Sequence, residues 1–423
     1  MAFTGKSTNI CAQMLDFWVV IDMDGRKSIL ALIALAVSAF AIGTTEFISV
    51  GLLPLISRDL HVSITTAGLT VTLYALGVTF GAPILTSLTS RMAKKSLLLL
   101  IMIFFMIGNG IAASAGNIDV LLVGRVLAAF SHGVFMSIGS TIAADLVPSN
   151  RRATAISIMF TGLTVATVTG VPFGTFIGQH FGWRLTFLMI VAIGVIAFVA
   201  NSLLIPSDLH RGGSTSIRMQ SKLFAHGPLL LVFAITALGY GGTFVVFTYL
   251  SPLLQQVTHF SSQAIAVILL IYGVAIAIGN TIGGKVANRN PIHALLIMFI
   301  AQVVVLAILK FALPFKIPAL LMVCLMGLFA FMNVPGLQHY VVILAKRLVP
   351  EAVDTASAIN IAAFNAGIAM GSFLGGVVTN SVGLADTTWV GALMILLAVF
   401  LTGWSRALER RYQGASEMEP LYQ

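Results

Sequence analysis

Long runs of apolar residues along almost the whole chain constrain this sequence more than any other feature. The segments 28–53 and 97–115 show the pattern, since they are almost free of charge and do not alternate between apolar and polar residues. A helix that crosses a membrane needs about 20 apolar residues, whereas a membrane strand needs about 10 residues of alternating polarity. The runs therefore favour membrane-spanning helices over a barrel.

The amino-acid composition excludes several other classes of protein. Charged residues make up 9% of the 423 residues and hydrophobic residues 58%, against about 25% and about 45–50% in a soluble domain. So little charge cannot cover a solvated surface, which excludes an ordinary soluble enzyme and a disordered protein. Cys11 lies in a polar segment and Cys324 in an apolar run, so we expect no disulfide between them.

The apolar runs divide the chain into twelve predicted spans. The longest connection, about 206–227, is rich in Ser, Gly and Arg and predicts a linker between two bundles. We therefore predict an all-α membrane protein in which twelve transmembrane helices form two pseudo-symmetric six-helix bundles. The predicted parts are an N-terminal tail 1–27, a bundle 28–205, the linker 206–227, a bundle 228–405 and a C-terminal tail 406–423. The predicted spans are 28–54, 65–88, 96–116, 119–145, 153–179, 184–205, 228–256, 262–286, 292–312, 317–345, 354–380 and 387–405.

The basic residues predict the orientation of the chain in the membrane. On this division, 18 of the 23 Lys and Arg residues fall on one side. The positive-inside rule then predicts that both termini are cytoplasmic, in a multi-pass protein of the inner or plasma membrane. Met23 is followed by Arg26 and Lys27 and would itself be a plausible start, so two interpretations of 1–22 stay open: a flexible tail, or a start-site artefact.

The two bundles repeat each other in sequence. Tyr74 and Gly81 match Tyr272 and Gly279 at one constant offset, and further glycines match at a second offset. A repeat in the same sense after an even number of spans predicts two halves related by an axis along the membrane normal. A substrate site is then expected between the halves near the bilayer midplane. We find no nucleotide-binding domain, so active transport would have to use an ion gradient.

Glycines recur at every fourth residue in the fifth predicted span. Such faces let helix backbones approach closely in lipid, and both fixed packing and sliding surfaces stay open as interpretations. The segments 170–174 (GVPFG) and 182–184 (GWR) resemble the antiporter motif of the major facilitator superfamily. Within it, Pro172 frees a backbone carbonyl. The resemblance implies close helix packing by Gly170, Pro172, Gly174 and Gly178.

Loop motifs strengthen this resemblance. The segment 284–289 (GKVANR) is similar to the loop motif of the family, through Gly284, Asn288 and Arg289. Its first-half copy, 90–95 (SRMAKK), carries Arg91, Lys94 and Lys95 but has Ser where the family usually has Asp. The segment 43–47 (GTTEF) resembles the AraJ-type branch of twelve-span drug:proton antiporters. The resemblance covers about 28–405 and implies proton-coupled efflux of a drug, sugar, nucleoside or related solute.

Two full charges lie well inside the predicted spans, Glu46 and Arg125. Counted from the predicted span ends, Glu46 lies about 12 Å deep and Arg125 about 9 Å deep from the same side. Burying either charge alone is costly, so we expect a pair or a water-filled cavity. Our hypothesis is that Glu46 carries the proton and Arg125 modulates it, with a static ion pair as the alternative. His132 lies on the same side of its helix as Arg125 and is a candidate relay, or a packing residue.

Polar and aromatic residues within the spans are candidates for the substrate cavity, although each alone is more often a packing residue. Because the second half has no carboxylate inside a span, we expect a neutral, partly polar solute rather than a dication. The cavity candidates are Tyr74, Phe135, Tyr240, Phe244, Asn333, His339, Asn360 and Asn365.

The sequence as a whole predicts a secondary transporter, not an enzyme. It would export a small solute in exchange for protons by alternating access, without a cofactor, metal or nucleic acid, as a monomer in the lipid bilayer. A uniporter or importer of a small polar solute and a membrane solute sensor stay open as alternatives. An embedded enzyme is disfavoured, because we find no metal-ligand cluster, nucleophile–base pair or nucleotide cradle.

Overall fold

A computed structural model describes residues 23–89, 92–148, 151–207, 209, 222–288 and 290–418. Within these ranges the chain is helical, without a strand, and twelve of its helices are long and apolar enough to cross a membrane. The predicted fold class is therefore confirmed. The predicted segment 1–22, Arg91, Arg289 and most of the linker lie outside the described residues.

The first half of the protein runs from α1 to α7. A π-helical segment, Ala166–Gly170, joins α5 to α6 without a break in the helical path. The helices are α1 Met23–Asp59, α2 Ile64–Leu88, α3 Lys94–Ala113, α4 Ile118–Asp145, α5 Arg152–Val165, α6 Val171–Phe181 and α7 Trp183–Leu204.

The second half runs from α8 to α14. Helices α8 and α9 together cross the membrane once, with a turn at Thr248 and Tyr249 between them. The helices are α8 Gly227–Phe247, α9 Leu250–Gln256, α10 Ser262–Ala287, α11 Pro291–Ala312, α12 Lys316–Leu348, α13 Val353–Ser381 and α14 Thr387–Met418.

Helix packing repeats between the halves. In the first half α1 packs on α5 and α7, α2 on α4, and α3 on α4 and α7. In the second half α8 packs on α13 and α14, α10 on α12, and α11 on α12 and α14. Each pairing in one half thus has its counterpart six spans later, so the repeat in the sequence is also a repeat in the packing.

Some helix ends differ from the predicted ones. Pro54 does not end α1, which continues to Asp59, because neighbouring helices can support a proline inside a membrane helix. Glu46 therefore lies about 20 Å from the end of its helix, not about 12 Å. The predicted span 228–256 has a turn inside it. Pro172 has no backbone N–H to donate to the carbonyl four residues earlier. The π-helical segment Ala166–Gly170 directly precedes this turn and accommodates the missing hydrogen bond.

The halves meet from the middle of the molecule to one end. We call this the outer end; it carries the connections 60–63, 114–117, 257–261, 313–315 and 382–386, whereas the basic loops lie at the opposite end. Across the halves α2 packs on α13, α1 on α9, and α10 on α6 and the π-helical segment. At the outer end Thr65 Oγ1 donates to Asn380 Oδ1 over 2.7 Å, and Gln179 Nε2 donates to the Ser262 carbonyl over 2.6 Å.

Candidate functional site

Glu46 lies on α1 where the two halves face each other, and it is only 8% exposed. No side chain among the described residues forms an ion pair or hydrogen bond with its carboxyl group. The backbone carbonyl of the same residue accepts a hydrogen bond from Arg125 Nη2 over 3.2 Å. Glu46 is thus a buried acid whose charged neighbour is bonded to its backbone but not to its carboxyl group.

Arg125 on α4 is fully buried and is bound by backbone rather than by a carboxylate. Its Nη1 donates to the Thr45 carbonyl over 2.6 Å, its Nη2 to the Glu46 carbonyl over 3.2 Å, and its Nε to the Thr70 carbonyl over 3.2 Å. The guanidinium thereby joins α1, α2 and α4. The static ion pair that the sequence left open is not formed among the described residues.

Tyr74 and His132 extend this buried group along the interior of the first half. The Arg125 guanidinium carbon lies 4.1 Å from the centre of the Tyr74 ring, a cation–π distance. Tyr74 Oη and His132 Nδ1 are 3.3 Å apart, and both residues are buried. His132 therefore connects to Arg125 through the Tyr74 ring. Phe135 is also fully buried but belongs to the core of this half. A relay role for His132 stays a prediction.

The glycines of the antiporter-like motif seat the helix that carries Glu46. A Cβ atom on Gly170 would meet Thr44, one on Gly174 would meet Ile48, and one on Gly178 would meet Leu52. Those three partners are spaced every fourth residue on α1, so the glycine face of α6 lies directly against α1. Because Glu46 lies between Thr44 and Ile48, this packing fixes the position of its backbone. Pro172 is the second residue of α6 and lies two residues from both Gly170 and Gly174, so it is not on the glycine face.

Aromatic rings from both halves meet beside Glu46, and we call this group the aromatic seam. Phe47 of the first half lies 6.0 Å from Phe244, 6.2 Å from Phe247 and 6.4 Å from Phe331 between ring centres. Such offset and edge contacts are favourable for aromatic pairs. The seam consists of Phe47, Tyr240, Phe244, Phe247, Tyr272, Phe331 and Phe364.

Of the predicted amides, Asn360 is fully engaged within the second half. It accepts from Thr236 Oγ1 over 2.8 Å and donates to Gln338 Oε1 over 2.8 Å, which joins α8, α12 and α13. Asn365 donates to the Ile361 carbonyl over 3.1 Å, and its Oδ1 is buried without a partner. Asn360 is thus bonded within the protein, whereas Asn365 keeps an unused acceptor.

Asn333 and His339 lie in contrasting surroundings on α12. Asn333 is fully buried, and both amide atoms lack a hydrogen-bond partner. His339 is exposed. Because a buried amide without partners is costly, Asn333 is the more informative of the two candidates for a polar ligand.

The loop candidates lie at the basic end of the molecule. Lys94 Nζ is 2.6 Å from Asp145 Oδ2, an ion pair that ties the start of α3 to the end of α4. Lys95 begins the same helix, and Gly284 and Asn288 lie at the end of α10. These contacts position helix ends and are remote from Glu46.

Sequence reasoning missed several residues of the site. Phe331 and Phe364 cannot be distinguished in the sequence from the other phenylalanines, of which the chain has 28 in all. Only the fold shows that both rings pack against Tyr240. Gln338 could have been predicted, because it is a polar residue inside a span and directly precedes the candidate His339. Phe47 follows Glu46 directly and was equally findable.

Together these features define a class: a polytopic membrane protein of two similar six-helix halves with a buried acid where they meet. Among the described residues no group of three His, Cys, Asp or Glu side chains could hold a metal ion. The arrangement is that of a membrane transporter whose site lies between two repeats.

Comparison with known proteins identifies the family. Residues 35–348 match the family model of the Major Facilitator Superfamily. The chain is 68% identical over 386 residues to the MFS-type transporter YtbD of Bacillus subtilis (strain 168), covering 91% of this chain and 98% of YtbD. It is 36% identical over 371 residues to the inner membrane transport protein YdhP of Escherichia coli (strain K12), covering 88% of this chain and 94% of YdhP. The chain belongs to the Major Facilitator Superfamily and is a membrane transporter.

A solved structure shows the same fold at low sequence identity. A bacterial homologue of the human lysosomal transporter Spinster, in an inward-facing and unoccupied conformation, aligns with a TM-score of 0.70 and 17% identity. The alignment covers 90% of this chain and 97% of the homologue. At this identity the likeness concerns the fold alone.

Proposed function

We propose that this transporter exports a small, neutral, partly polar solute in exchange for protons, and that Glu46 carries the proton. One observation supports the proposal most: the Glu46 carboxyl group is buried between the halves without an ion pair, while Arg125 is bonded to backbone carbonyls beside it. A buried acid inside a membrane protein marks a proton or ion pathway by default.

The geometry supplies a way to change the proton affinity of Glu46. Arg125 Nη2 is bonded to the backbone carbonyl of Glu46 itself, so a side-chain rotation of either residue can bring the guanidinium to the carboxylate. A nearby cation favours the charged form of a carboxyl group. A rearrangement of the halves that drives this approach would release the proton, and the reverse movement would let the acid bind one again.

The surroundings of Glu46 favour a neutral solute. The aromatic seam offers flat apolar surfaces, and Asn333 and Asn365, close in sequence to the seam residues Phe331 and Phe364, carry amide atoms without partners. Only one carboxyl group is buried among the described residues, so the site could neutralise only one of the two charges of a dication. A sugar, a nucleoside or a phenicol-type drug fits these groups.

The basic loops support a fixed orientation. By the positive-inside rule they face the cytoplasm, so the outer end faces the opposite side of the plasma or bacterial inner membrane. The protein would then act as a monomer, with the solute and protons as its partners.

The proposal is tested by replacing Glu46 with Gln in purified protein reconstituted into proteoliposomes. Radiolabelled chloramphenicol, uridine and arabinose serve as probes, and each is measured as uptake driven by an imposed pH difference and as counterflow without one. Glu46→Gln should abolish the pH-driven movement of the transported probe and retain counterflow, because the amide keeps the shape of the site but cannot carry a proton.

A matched control uses Asp119→Asn, the same change at an exposed carboxylate in the first turn of α4. It should leave both assays unchanged. Persistence of pH-driven movement in Glu46→Gln would exclude the carrier role. Counterflow in the wild type without any response to pH would instead favour a uniporter.

A further inference from the structure

The membrane-spanning path of α8 and α9 is interrupted at a tyrosine. Helix α8 ends at Phe247, the chain turns at Thr248 and Tyr249, and α9 begins at Leu250. Tyr249 is 1% exposed, and its phenol oxygen donates to the Ser372 carbonyl over 3.1 Å. The neighbouring Thr248 and Ser372 hydroxyl groups are 2.7 Å apart. The turn is thus bonded to α13 of its own half.

The ring of Tyr249 projects from the second half into the boundary with the first half. On α2 of the first half, a Cβ atom added to Gly68 would collide with the phenol oxygen. On α13, a Cβ atom added to Gly376 would lie 2.7 Å from the same oxygen, and one added to Gly375 would lie 2.8 Å from a ring carbon. Tyr249 packs within the hydrophobic core cluster of the first half, although it belongs to the second.

The surroundings of the ring place it at the outer end, where the halves close on each other. Thr65 donates to Asn380 across the halves beside it. A cavity of about 240 Å³ next to the ring is lined by both halves, and the buried hydroxyl group of Thr72 in its wall has no partner. A single aromatic side chain therefore fills the place where α2 and α13 would have to separate for a solute to leave.

We propose that Tyr249 is the latch of the outer gate, a positioning residue whose phenol holds α2 and α13 together through the space that Gly68 and Gly376 leave open. The inference rests on alternating access in the proposed function but not on proton coupling. For the outer end to open, the phenol must leave the Gly68 surface, and its bond to Ser372 keeps it on the second half as the first half moves away. Glycine is required at Gly68 and Gly376 because the side chain of any larger residue would occupy the space that the Tyr249 ring fills.

The test measures how readily the outer gate opens. A single cysteine at Thr72, in a chain that carries Cys11→Ser and Cys324→Ser, reports on the cavity beside the ring. Intact cells are treated with a membrane-impermeant maleimide, and the rate of labelling is compared between variants. Gly68→Ala should raise the rate by about tenfold, because its methyl group displaces the phenol and favours the open state.

Three further variants make the test specific. Gly110→Ala is the matched control, since a Cβ atom there meets nothing within 4 Å, and it should label at the unmodified rate. Adding Tyr249→Phe to Gly68→Ala should restore part of the protection, because it removes the oxygen nearest the new methyl group. Tyr249→Ala should raise the rate of labelling by removing the ring, without adding a methyl group that collides with it. This variant provides the test if Gly68→Ala does not fold.

The outcomes separate the latch from the proposed function. Unchanged labelling in Tyr249→Ala would overturn the latch, as would equal labelling in Gly68→Ala and Gly110→Ala. Persistent pH-driven transport in Glu46→Gln together with raised labelling in Tyr249→Ala would overturn the proton carrier and leave the latch standing.

Discussion

At the scale of single residues, Arg125 combines a full charge with full burial and has no carboxylate partner among the described residues. Its three hydrogen bonds end on backbone carbonyls of α1 and α2, and Tyr74 covers its flat face. Guanidinium suits this role because it donates in several directions from one rigid plane, whereas a lysine ammonium is a point charge. Arg125 thus holds α1, α2 and α4 together while leaving the Glu46 carboxyl group unbonded.

Replacement of Arg125 tests this double role. Arg125→Ala should lower the free energy of unfolding by about 3 kcal/mol, because it removes charged hydrogen bonds and leaves a cavity. Arg125→Lys keeps the positive charge but loses the forked set of guanidinium N–H donors, so we expect about half of that decrease in the free energy of unfolding. The midpoint of thermal unfolding in detergent, followed by the loss of helical circular dichroism, measures both. If Arg125→Lys unfolds at the same midpoint temperature as the wild type, the forked guanidinium donors are dispensable for stability.

At the scale of elements, the crossing of α1 and α5 depends on the absence of a side chain. A Cβ atom at Gly162 would overlap the backbone carbonyl of Ala36, and backbone cannot move aside as a flexible side chain can. Close approach of this kind is how helices associate in lipid, where the hydrophobic effect contributes little. At Gly170, Gly174 and Gly178 the nearest atoms belong to side chains of α1, so a larger residue there would meet groups that can yield more easily.

Gly162→Ala should therefore destabilise the protein by about 1–3 kcal/mol, the usual cost of overpacking. Gly403→Ala is the matched control, because a Cβ atom there meets nothing within 4 Å. The two variants are compared by thermal unfolding in the same detergent. Equal midpoints would mean that α1 and α5 separate easily, contrary to the packing seen here.

The helices themselves could be predicted from the sequence, whereas their irregular points could be predicted only in part. Apolar runs and basic loops indicate twelve spans because the membrane fixes the length of each helix. The turn at Thr248 and Tyr249 itself carries no proline or glycine, but Pro252 lies four residues after Thr248 and cannot donate to its carbonyl, so a local signal does mark the end of α8. Ser372, more than a hundred residues away, supports the turn. Pro54, by contrast, is a local signal that tertiary packing overrides.

The candidate site was predictable in its charges and less so in its apolar surroundings. Glu46 and Arg125 stand out because charge inside a span is rare, and counting residues along helices correctly brought them near each other. The predicted end of the first span was wrong, because α1 continues past Pro54 to Asp59. The aromatic seam required the fold, since Phe331 and Phe364 differ from the other phenylalanines only in what they contact.

At the scale of the whole molecule, the two halves touch through the aromatic seam beside Glu46 and through a set of groups at the outer end. Tyr249 fills the boundary between α2 and α13, Thr65 and Asn380 bridge it, and Gln179 donates to the Ser262 carbonyl between α6 and α10. Most of the helix packing lies within each half, so we expect these groups to separate without unfolding either half. On the proposed function, alternating access would break and remake these contacts.

This view predicts that a covalent link across the outer end stops transport. Cysteines at Thr65 and Asn380, in the chain that carries Cys11→Ser and Cys324→Ser, can be joined by a short, cleavable methanethiosulfonate cross-linker, since the native side chains are 2.7 Å apart. Counterflow should fall to background after cross-linking and return when a reductant cleaves the link. The control pair, cysteines at Asp59 and Arg184, joins side chains 2.6 Å apart within the first half and should leave transport unaffected by the cross-linker. Transport that continues through a linked Thr65–Asn380 pair would mean that the solute moves without separation of α2 from α13.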